Sequence, residues 1–366
     1  MNKTADIIVI GGGIAGIGAA AMMASDAKVI VLETEDVIGS HSTGRSAAIY
    51  IRNYGNATLR ALNAASEPLL QNPEKIGETS VLSPRGEMLV AREEEIPELE
   101  AYLNGAEGIE RLSPAEAINL FPLLREEAVA AAAIERSAQD IDVDRLFQAF
   151  ARTLRHAGGE IITKAPVTAL TRTGSVWHIT TPQGTFEAPI VVNAAGGWAD
   201  TIARMAGLKP LGLTPMRRSA ALLPAPDGYD ITHWPLVASA SETWYAKPEA
   251  GLLMVSPADE DPVEAHDAWA DDMVLAEGLD RFEQSMKMTV TRVERSWAGL
   301  RTFAPDRTPV VGFSPQTEGF FWLAGQGGYG IQTSPALSQL AADLCLGRDS
   351  TLGATVLEAL SPARLS

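Results

Sequence analysis

The 366-residue sequence contains one cysteine, Cys345, so no intramolecular disulfide can form and a reducing compartment is expected. Basic residues are also scarce, because 29 Lys and Arg stand against 46 Asp and Glu, a formal net charge of −17. Nucleic acids and anionic membranes are bound through basic patches, so we expect neither as a partner. The acidic balance favours solubility, and it is also compatible with long-range steering of cationic small molecules.

Long apolar runs are missing as well. The longest ones fall well short of the ~20 residues that a membrane helix needs, and the first leads into a glycine motif rather than a signal-peptide cleavage site. The five histidines are scattered without paired-ligand spacing, and no nucleophile elbow is present. We therefore expect a cytoplasmic protein that is not transmembrane, has no metal site and does not use a hydrolytic triad.

The N-terminal part of the sequence has a βαβ pattern. Residues 6–10 and 28–33 are short apolar runs typical of buried parallel strands, and the Ala- and Met-rich residues 14–24 between them predict a helix. The intervening GGGIAG fits GxGxxG, whose glycines allow a tight turn, close approach of a pyrophosphate and helix–strand packing. Glu33 ends the second strand, where a carboxylate can accept hydrogen bonds from ribose hydroxyls. The pattern predicts dinucleotide binding at the helix N-terminus.

Two further clusters of small residues follow predicted strands, in VVNAAGGWAD (191–200) and GQGGYGIQTS (325–334). Each has a plainer interpretation, tight packing between a strand and a helix. Together with the first motif they favour a longer cofactor held from several sides, FAD. An NAD-dependent dehydrogenase remains the alternative, although it would not need the additional clusters.

The order of these motifs along the whole chain resembles the D-amino-acid oxidase/glycine oxidase family of flavoproteins. Within that family the resemblance is strongest to the catabolic D-arginine dehydrogenases, and it is carried by the strings HSTGRSAA, LSPRGEM, MRRSA, KPEAGLL, SPADEDPVEAHD, SWAGLR and GGYGIQTS. It implies an α/β fold, in which a Rossmann-type FAD-binding domain of glutathione-reductase-like topology carries an inserted mixed-sheet α+β substrate domain.

The length alone predicts roughly two domains. We expect a discontinuous FAD-binding domain from residues 1–48, 141–204 and 302–366, and a substrate-binding domain from 49–140 and 205–301. Residues 57–70 and 142–159 are predicted to form helices. Residues 82–92 are predicted to form one strand with polar residues at alternate positions.

In the family, the stretch that matches Ser40–Ala48 runs along the flavin, where small residues let a planar ring lie against the backbone. Arg45 would add positive charge near the phosphates or the flavin, with a salt bridge to a neighbouring acid as the alternative. The FAD should be noncovalent, because Cys345 lies beyond the flavin-linking position of the sarcosine-oxidising branch. The predicted cofactor contacts are Gly11, Gly13, Ile14, Ala15, Gly16, Glu33, Ser40, His41, Ser42, Thr43, Gly44, Arg45, Ser46, Ala47, Ala48, Val167, Ala195, Gly196, Trp198, Arg301, Gly327, Gly328, Tyr329, Gly330, Ile331, Gln332 and Thr333.

The resemblance also implies substrate contacts. Arg218 and Arg301 match the carboxylate-binding positions, where a guanidinium fork suits a carboxylate, and Tyr245 matches their hydroxyl partner. Near the amine, the implied contacts are the carbonyl of Gly328 and the side chain of Gln332. In the side-chain pocket, Glu87 would face a cationic substrate group and Tyr54 would close the cavity. The alternatives are an exposed, inert glutamate on a strand and simple packing of the tyrosine.

One departure from the D-arginine dehydrogenases concerns Ile49 and Ile51, which stand where those enzymes carry a histidine and a threonine. Both changes make this wall less polar and remove a possible proton carrier. Binding of flavin and carboxylate should survive. The departure bears on the preference for arginine and favours larger or more apolar substrates.

The expected reaction is FAD-dependent oxidative deamination of D-amino acids with basic or bulky side chains. Hydride leaves the substrate Cα for flavin N5, and the imino acid hydrolyses to a 2-oxo acid and ammonia. The electron acceptor is unknown, with a quinone or another carrier favoured over oxygen. The alternatives are a glycine or secondary-amine oxidase of the same fold that uses oxygen, and a flavin-binding protein without amine chemistry.

Overall fold

The computed structural model describes residues 2–365. Within this range no helix has both the length and the apolar character required to cross a membrane. The α-helices are α1 Ile14–Met23, α2 Ala57–Gln71, α3 Ile96–Leu103, α4 Pro114–Leu120, α5 Val143–His156, α6 Ala199–Met205, α7 Asp272–Ser285, α8 Ser334–Cys345 and α9 Ala354–Leu360.

The strands form four sheets. In chain order they are β1 Asn2–Thr4, β2 Ile7–Ile10, β3 Val29–Leu32, β4 Ile49–Tyr50, β5 Leu82–Pro84, β6 Glu87–Ala91, β7 Glu110–Leu112, β8 Ala131–Glu135, β9 Gln139–Ile141, β10 Glu160–Ile162, β11 Ala169–Thr173, β12 Val176–Thr181, β13 Gly184–Ala188, β14 Ile190–Asn193, β15 Thr214–Leu223, β16 Leu236–Ser239, β17 Tyr245–Glu249, β18 Leu252–Ser256, β19 Asp261–Pro262, β20 Arg295–Phe303, β21 Val310–Phe313 and β22 Phe320–Ala324.

A six-stranded sheet in the order β10-β3-β2-β14-β22-β21 carries the predicted βαβ unit. Its first five strands are parallel, and only β21 runs antiparallel. The strands β2, β3 and β22 are buried along their whole length, as expected where helices cover both faces. The carboxyl ends of the parallel strands meet at one edge, which brings the three predicted glycine-rich segments together.

A nine-stranded mixed sheet forms the second layer that matters for the site. Its order is β19-β15-β18-β17-β16-β6-β8-β7, with β20 paired to β15. Since successive side chains of a strand point to opposite faces, alternate residues of each strand share one face of this sheet. A four-stranded sheet, β1-β13-β12-β11, and a three-stranded sheet, β4-β9-β5, complete the fold. The predicted division into two discontinuous domains stays a proposal.

The predicted helices at 57–70 and 142–159 form as α2 and α5, but the predicted single strand over residues 82–92 is wrong. It breaks into β5 and β6, which belong to different sheets. The break lies at Gly86, whose φ of +82° is a left-handed conformation that favours glycine. All five residues of β6 are buried, Glu87 included, so the polar positions do not alternate with buried ones.

Candidate active site

A single cavity of about 610 Å³ extends from the carboxyl edge of the parallel sheet to one face of the nine-stranded sheet. From the parallel sheet it takes the glycine-rich segments that follow β2, β14 and β22. From the mixed sheet it takes residues of several strands, including the pairs Glu87/Leu89, Arg218/Ala220, Leu236/Ala238 and Gly299/Arg301. The cavity therefore combines a dinucleotide-type cradle with a wall that carries charged side chains.

Two glycines of the first motif, Gly11 and Gly16, are sterically required. A Cβ on Gly11, whose φ is +113°, would lie 2.3 Å from the carbonyl oxygen of Ala194, and one on Gly16 would lie 2.0 Å from that of Gly11. Glu33 Oε2 accepts a hydrogen bond from the N–H of Gly12 (2.7 Å), and its Oε1 accepts one from the N–H of Glu35 (2.8 Å). Each carboxylate oxygen keeps lone-pair capacity for a ribose hydroxyl.

The stretch after β3 folds back over the N-terminus of α1. A 3₁₀ turn spans Ser42–Arg45, and the hydroxyl oxygen of buried Thr43 accepts a hydrogen bond from the N–H of Ile14 (3.0 Å). The Ser42 hydroxyl donates to the carbonyl of Leu300 in β20 (2.7 Å). This turn thus joins the dinucleotide cradle to the mixed sheet, and small residues allow the close approach.

Arg45 lines the cavity, but its guanidinium is engaged elsewhere. It donates to the carbonyl oxygens of Ala268 (2.7 Å) and Ala298 (3.2 Å) and pairs with Asp267. The structure therefore supports the alternative interpretation, a salt bridge to a neighbouring acid. His41 contacts Glu35 through Nε2 (3.0 Å), and its ring packs on Trp198 with centroids 4.9 Å apart.

Most of the predicted residues line this one cavity. From the substrate set it brings together Ile49, Tyr54, Glu87, Arg218, Tyr245, Arg301, Gly328 and Gln332. From the cofactor set it includes Gly11, Gly13, Ile14, Ala15, Glu33, Ser40, His41, Ser42, Thr43, Arg45, Ser46, Ala47, Ala48, Val167, Ala195, Gly196, Trp198, Gly327, Gly330 and Ile331.

Four predicted cofactor contacts lie outside the cavity lining: Gly16, Gly44, Tyr329 and Thr333. Gly16 packs beneath the cradle against Gly11, and Gly44 donates its N–H to the carbonyl of Gly39 (2.9 Å). The Tyr329 ring packs on Tyr54, with centroids 4.6 Å apart. Thr333 is fully buried and donates to the carbonyl of Tyr329 (2.8 Å). These four residues support the cavity from behind.

One end of the cavity is cationic. The Arg218 side chain is 9% exposed and is anchored by the Glu260 carboxylate (2.9 Å) and the carbonyl of Asp259 (2.8 Å). Arg301 also lines the cavity, but it forms no ion pair with any side chain of residues 2–365. Its guanidinium lies against the backbone of Gly328, where an added Cβ would be 2.8 Å from Nη1. Arg301 is therefore the guanidinium that a bound anion can pair with.

Two tyrosines accompany these arginines. Burial opposes the charge of Arg301, but the Tyr54 and Tyr245 hydroxyls and Glu260 outweigh it, and the pKa of Arg301 is raised. Burial also works to raise the pKa of Tyr245, yet the adjacent positive charges of Arg301 and Arg218 prevail and lower it. Burial raises the pKa of Tyr54.

The Gln332 side chain lines the cavity and is also held by buried groups of the chain. Its Oε1 accepts a hydrogen bond from the N–H of Ile51 (3.0 Å), and its Nε2 donates to Asn63 Oδ1 (2.8 Å) and to the carbonyl of Ile51 (3.4 Å). The residue is 3% exposed. These bonds hold the turn after β4, and Oε1 keeps one lone pair for a further donor. The predicted substrate contact of Gln332 stays a prediction.

Glu87 lines another part of the cavity, on β6, which the mixed sheet separates from β20 by β15, β18, β17 and β16. It is buried rather than exposed and inert. The hydroxyl of Tyr102 in α3 donates to its Oε2 (3.1 Å). Burial, reinforced by the negative charge of Glu135, raises the pKa of Glu87 to about 8, against the Tyr102 hydrogen bond, which lowers it. In the free protein at neutral pH this group is therefore mainly the neutral acid.

Sequence reasoning missed two polar residues of this part of the cavity, Tyr102 and Glu242. Both line the cavity. Glu242 occupies a tight turn between β16 and β17 with a φ of +53°, and Tyr102 lies on a helix that no motif singles out. Neither has a sequence signal, because their position depends on how the mixed sheet and α3 pack. The nearby wall formed by Ile49 and Ile51 is apolar, as expected from the sequence.

A model of the FAD-dependent oxidoreductase (DAO) family matches residues 6–344. The chain belongs to this family. Glycine oxidase from Geobacillus kaustophilus is 25% identical, with 94% of this chain and 93% of the relative covered. The crystal structure of glycine oxidase from the same organism superimposes with a TM-score of 0.85 at 24% identity, covering 99% of each chain. This confirms the predicted FAD-binding α/β fold with mixed sheets.

Human mitochondrial dimethylglycine dehydrogenase is another relative, 25% identical over 93% of this chain. This chain spans only 42% of that relative's length. Membership of the family confirms that the chain is an oxidoreductase with FAD as its cofactor. The glycine cradle and Glu33 fit the adenosine diphosphate part, and the remainder of the cavity is available for the flavin and a small substrate.

The steric demand at Gly16 gives a test of the cradle in this flavoprotein. Gly16→Ala would place a methyl group against the carbonyl of Gly11, so we expect the turn to shift and the purified protein to lose most of its flavin absorbance. Gly353→Ala is the matched control, because nothing lies within 4 Å of the added Cβ. Full FAD content in Gly16→Ala would contradict the role assigned to this turn.

Proposed function

We propose that the protein catalyses FAD-dependent oxidative deamination of D-amino acids, with basic and bulky side chains preferred. The observation that carries this proposal is the polarity of the cavity. A guanidinium without a carboxylate partner among residues 2–365, Arg301 on β20, lines the cavity, and so does the buried carboxyl group of Glu87 on β6. In the mixed sheet these two strands are separated by β15, β18, β17 and β16. A basic amino acid has the complementary polarity, a carboxylate at one end and a cation at the other.

The carboxylate end supports an amino acid over a simple amine. A planar guanidinium binds a carboxylate through two parallel hydrogen bonds, which fixes the orientation of the substrate as well as its position. The Tyr245 hydroxyl lies beside both arginines, with the Arg218 guanidinium 6.0 Å from its ring centroid. Arg218 itself is already paired with Glu260. We therefore assign the main carboxylate contact to Arg301, with Arg218 and Tyr245 in support.

The other end supports a substrate with a long side chain. Glu87 provides either a neutral acid or a carboxylate, depending on what approaches it, and Ile49 and Ile51 form an apolar wall nearby. A guanidinium or ammonium group favours the ionised form of Glu87, whereas an aliphatic group meets the neutral acid and the isoleucines. This combination accommodates both basic and bulky side chains.

When bound, FAD supplies a two-electron acceptor for the hydride that leaves the substrate Cα. The residues of the chain supply orientation, since holding the carboxylate fixes the direction of the Cα–H bond. The substrate nitrogen must be deprotonated for the C=N bond to form, and we assign no general base to this step. The released imino acid takes up water and gives a 2-oxo acid and ammonia.

The preference for the D configuration rests on the resemblance of seven sequence strings to D-arginine dehydrogenases, and we also propose noncovalent FAD on that basis. A glycine or secondary-amine oxidase is the second candidate, because the similarity to glycine oxidase covers nearly all of both chains. The electron acceptor separates the two. Activity in air with release of peroxide favours the oxidase, and activity only with a quinone or an artificial dye favours the dehydrogenase.

Arg301→Met tests the carboxylate contact. The change removes the guanidinium and keeps an apolar side chain, so we expect KM for D-amino acids to rise roughly a hundredfold or more, with FAD still bound. Steady-state kinetics and the flavin spectrum measure both effects. Arg136→Met, at an exposed arginine paired with Glu110, should leave KM unchanged. An unchanged KM in Arg301→Met would refute the assignment.

Glu87→Leu tests the side-chain end. Loss of the carboxyl group should lower kcat/KM for D-arginine about tenfold or more relative to D-leucine, since only the cationic side chain loses a charged partner. D-Leucine serves as the internal control for folding and FAD content. Equal losses for the two substrates would assign Glu87 a purely structural role.

The raised pKa of Glu87 predicts a pH-dependent preference. A cationic side chain requires the ionised form, so below pH about 8 the ratio of kcat/KM for D-arginine to that for D-leucine should rise with pH by up to about tenfold per unit. Above that pH the ratio should level off. Both substrates carry an α-amino group, so its titration largely cancels. A ratio independent of pH in the wild-type enzyme would contradict this prediction.

A further inference from the structure

Two buried glutamates lie directly opposite each other on neighbouring strands. In the antiparallel pair β6–β8, Glu87 is the cross-strand partner of Glu135. Glu87 is 6% exposed and Glu135 is 2% exposed. Residues directly opposite in an antiparallel pair have Cβ atoms only ~5 Å apart, and like charges in such a pair destabilise each other. The presence of two buried glutamates at directly opposite positions therefore requires a physical explanation.

Glu135 is held by donors of the turn that follows β4. Its Oε1 accepts a hydrogen bond from the N–H of Arg52 (2.8 Å), and its Oε2 accepts bonds from the Asn53 side chain (2.7 Å) and the N–H of Asn53 (3.3 Å). Three N–H donors therefore converge on this one carboxyl group. Glu135 thus fixes the N–H groups of residues 52 and 53.

The carbonyl groups of the same turn are fixed from the other side. Asn63 Nδ2 donates to the carbonyls of Ile51 (3.2 Å), Arg52 (3.2 Å) and Tyr54 (3.0 Å). Between them, Glu135 and Asn63 hold the turn 51–54, whose last residue presents the Tyr54 ring to the cavity. The carboxylate opposite Glu87 is therefore also an anchor of the turn that carries Tyr54.

We propose that Glu135 is a positioning and specificity-determining residue: its carboxylate anchors the turn 51–54, and the same negative charge disfavours a second charge on Glu87 until a cationic substrate group compensates it. Glu87 then meets a basic side chain as a carboxylate, and binding of an uncharged side chain does not depend on its ionisation. The selectivity of the pocket depends on a residue that does not itself line the cavity.

The groups that surround Glu87 allow the effect of Glu135 on its ionisation to be distinguished from the effects of its other neighbours. Tyr102 faces it from α3, Glu135 from β8 and Glu242 from the turn between β16 and β17. Of these three groups, only Glu135 lies directly opposite Glu87 on a neighbouring strand, and Glu242 is exposed to solvent, which screens its charge. Removing the charge at position 135 should therefore make Glu87 ionise at lower pH.

The experiment titrates Glu87 directly in the FAD-loaded enzyme. Infrared difference spectra follow the carbonyl band of a protonated carboxylic acid, and the band of Glu87 is identified by its loss in Glu87→Gln. Glu135→Gln and Glu135→Met remove the charge with little change in length, and Glu135→Asp retains the charge. We expect the midpoint to fall by about one pH unit or more in the uncharged variants and to stay near the wild-type value in Glu135→Asp.

An unchanged midpoint in Glu135→Gln or Glu135→Met would overturn the proposal, and so would an equal shift in Glu135→Asp, which a purely structural role predicts. The specificity part of the proposal rests on the proposed function and is measured separately. In the uncharged variants, the pH dependence of the ratio of kcat/KM for D-arginine to that for D-leucine should shift to lower pH. If no D-amino acid is oxidised but the infrared midpoint shifts as expected, the coupling stands and the proposed function is what fails.

Discussion

The arrangement of this protein depends on one electrostatic constraint, a guanidinium inside a cavity with no carboxylate beside it in residues 2–365. Removing Arg301 from water without a counter-charge is costly. The neighbouring hydroxyls of Tyr54 and Tyr245 and the more distant Glu260 reduce that cost and hold the arginine in its charged form. The remaining attraction is available to an anionic ligand, and a carboxylate fits the fork best.

The fold explains how opposite polarity arises within one cavity. Residues of β15, β17 and β20 place the cationic group on one part of the mixed sheet, and β6 places a buried carboxyl group on another. The parallel sheet contributes glycine-rich backbone that can approach a dinucleotide closely enough to hold it. The turn Ser42–Arg45 joins these layers, because it contacts both the start of α1 and β20.

Local signals in the sequence predicted the parallel sheet well. The strand–glycine–helix pattern depends on neighbours in the chain, and Gly16 is required by its contact with nearby Gly11. Gly11 also meets Ala194 after β14, which is a long-range contact. Gln332 lies in a recognisable motif, yet its partners Ile51 and Asn63 are more than 250 residues away. The pairing of Glu87 with Glu135 and the approach of Tyr102 likewise depend on long-range packing, which periodicity does not encode. Propensity alone did not separate β5 from β6, because Gly86 redirects the strand.

The most direct measurement of the central claim is anaerobic mixing of the purified protein with matched D- and L-amino acids, followed by the flavin absorbance. We expect the D-enantiomers of basic and bulky amino acids to bleach the flavin band and the L-enantiomers to leave it unchanged. A flavin that stays oxidised with every amino acid, or that is bleached by glycine and secondary amines alone, would contradict the account.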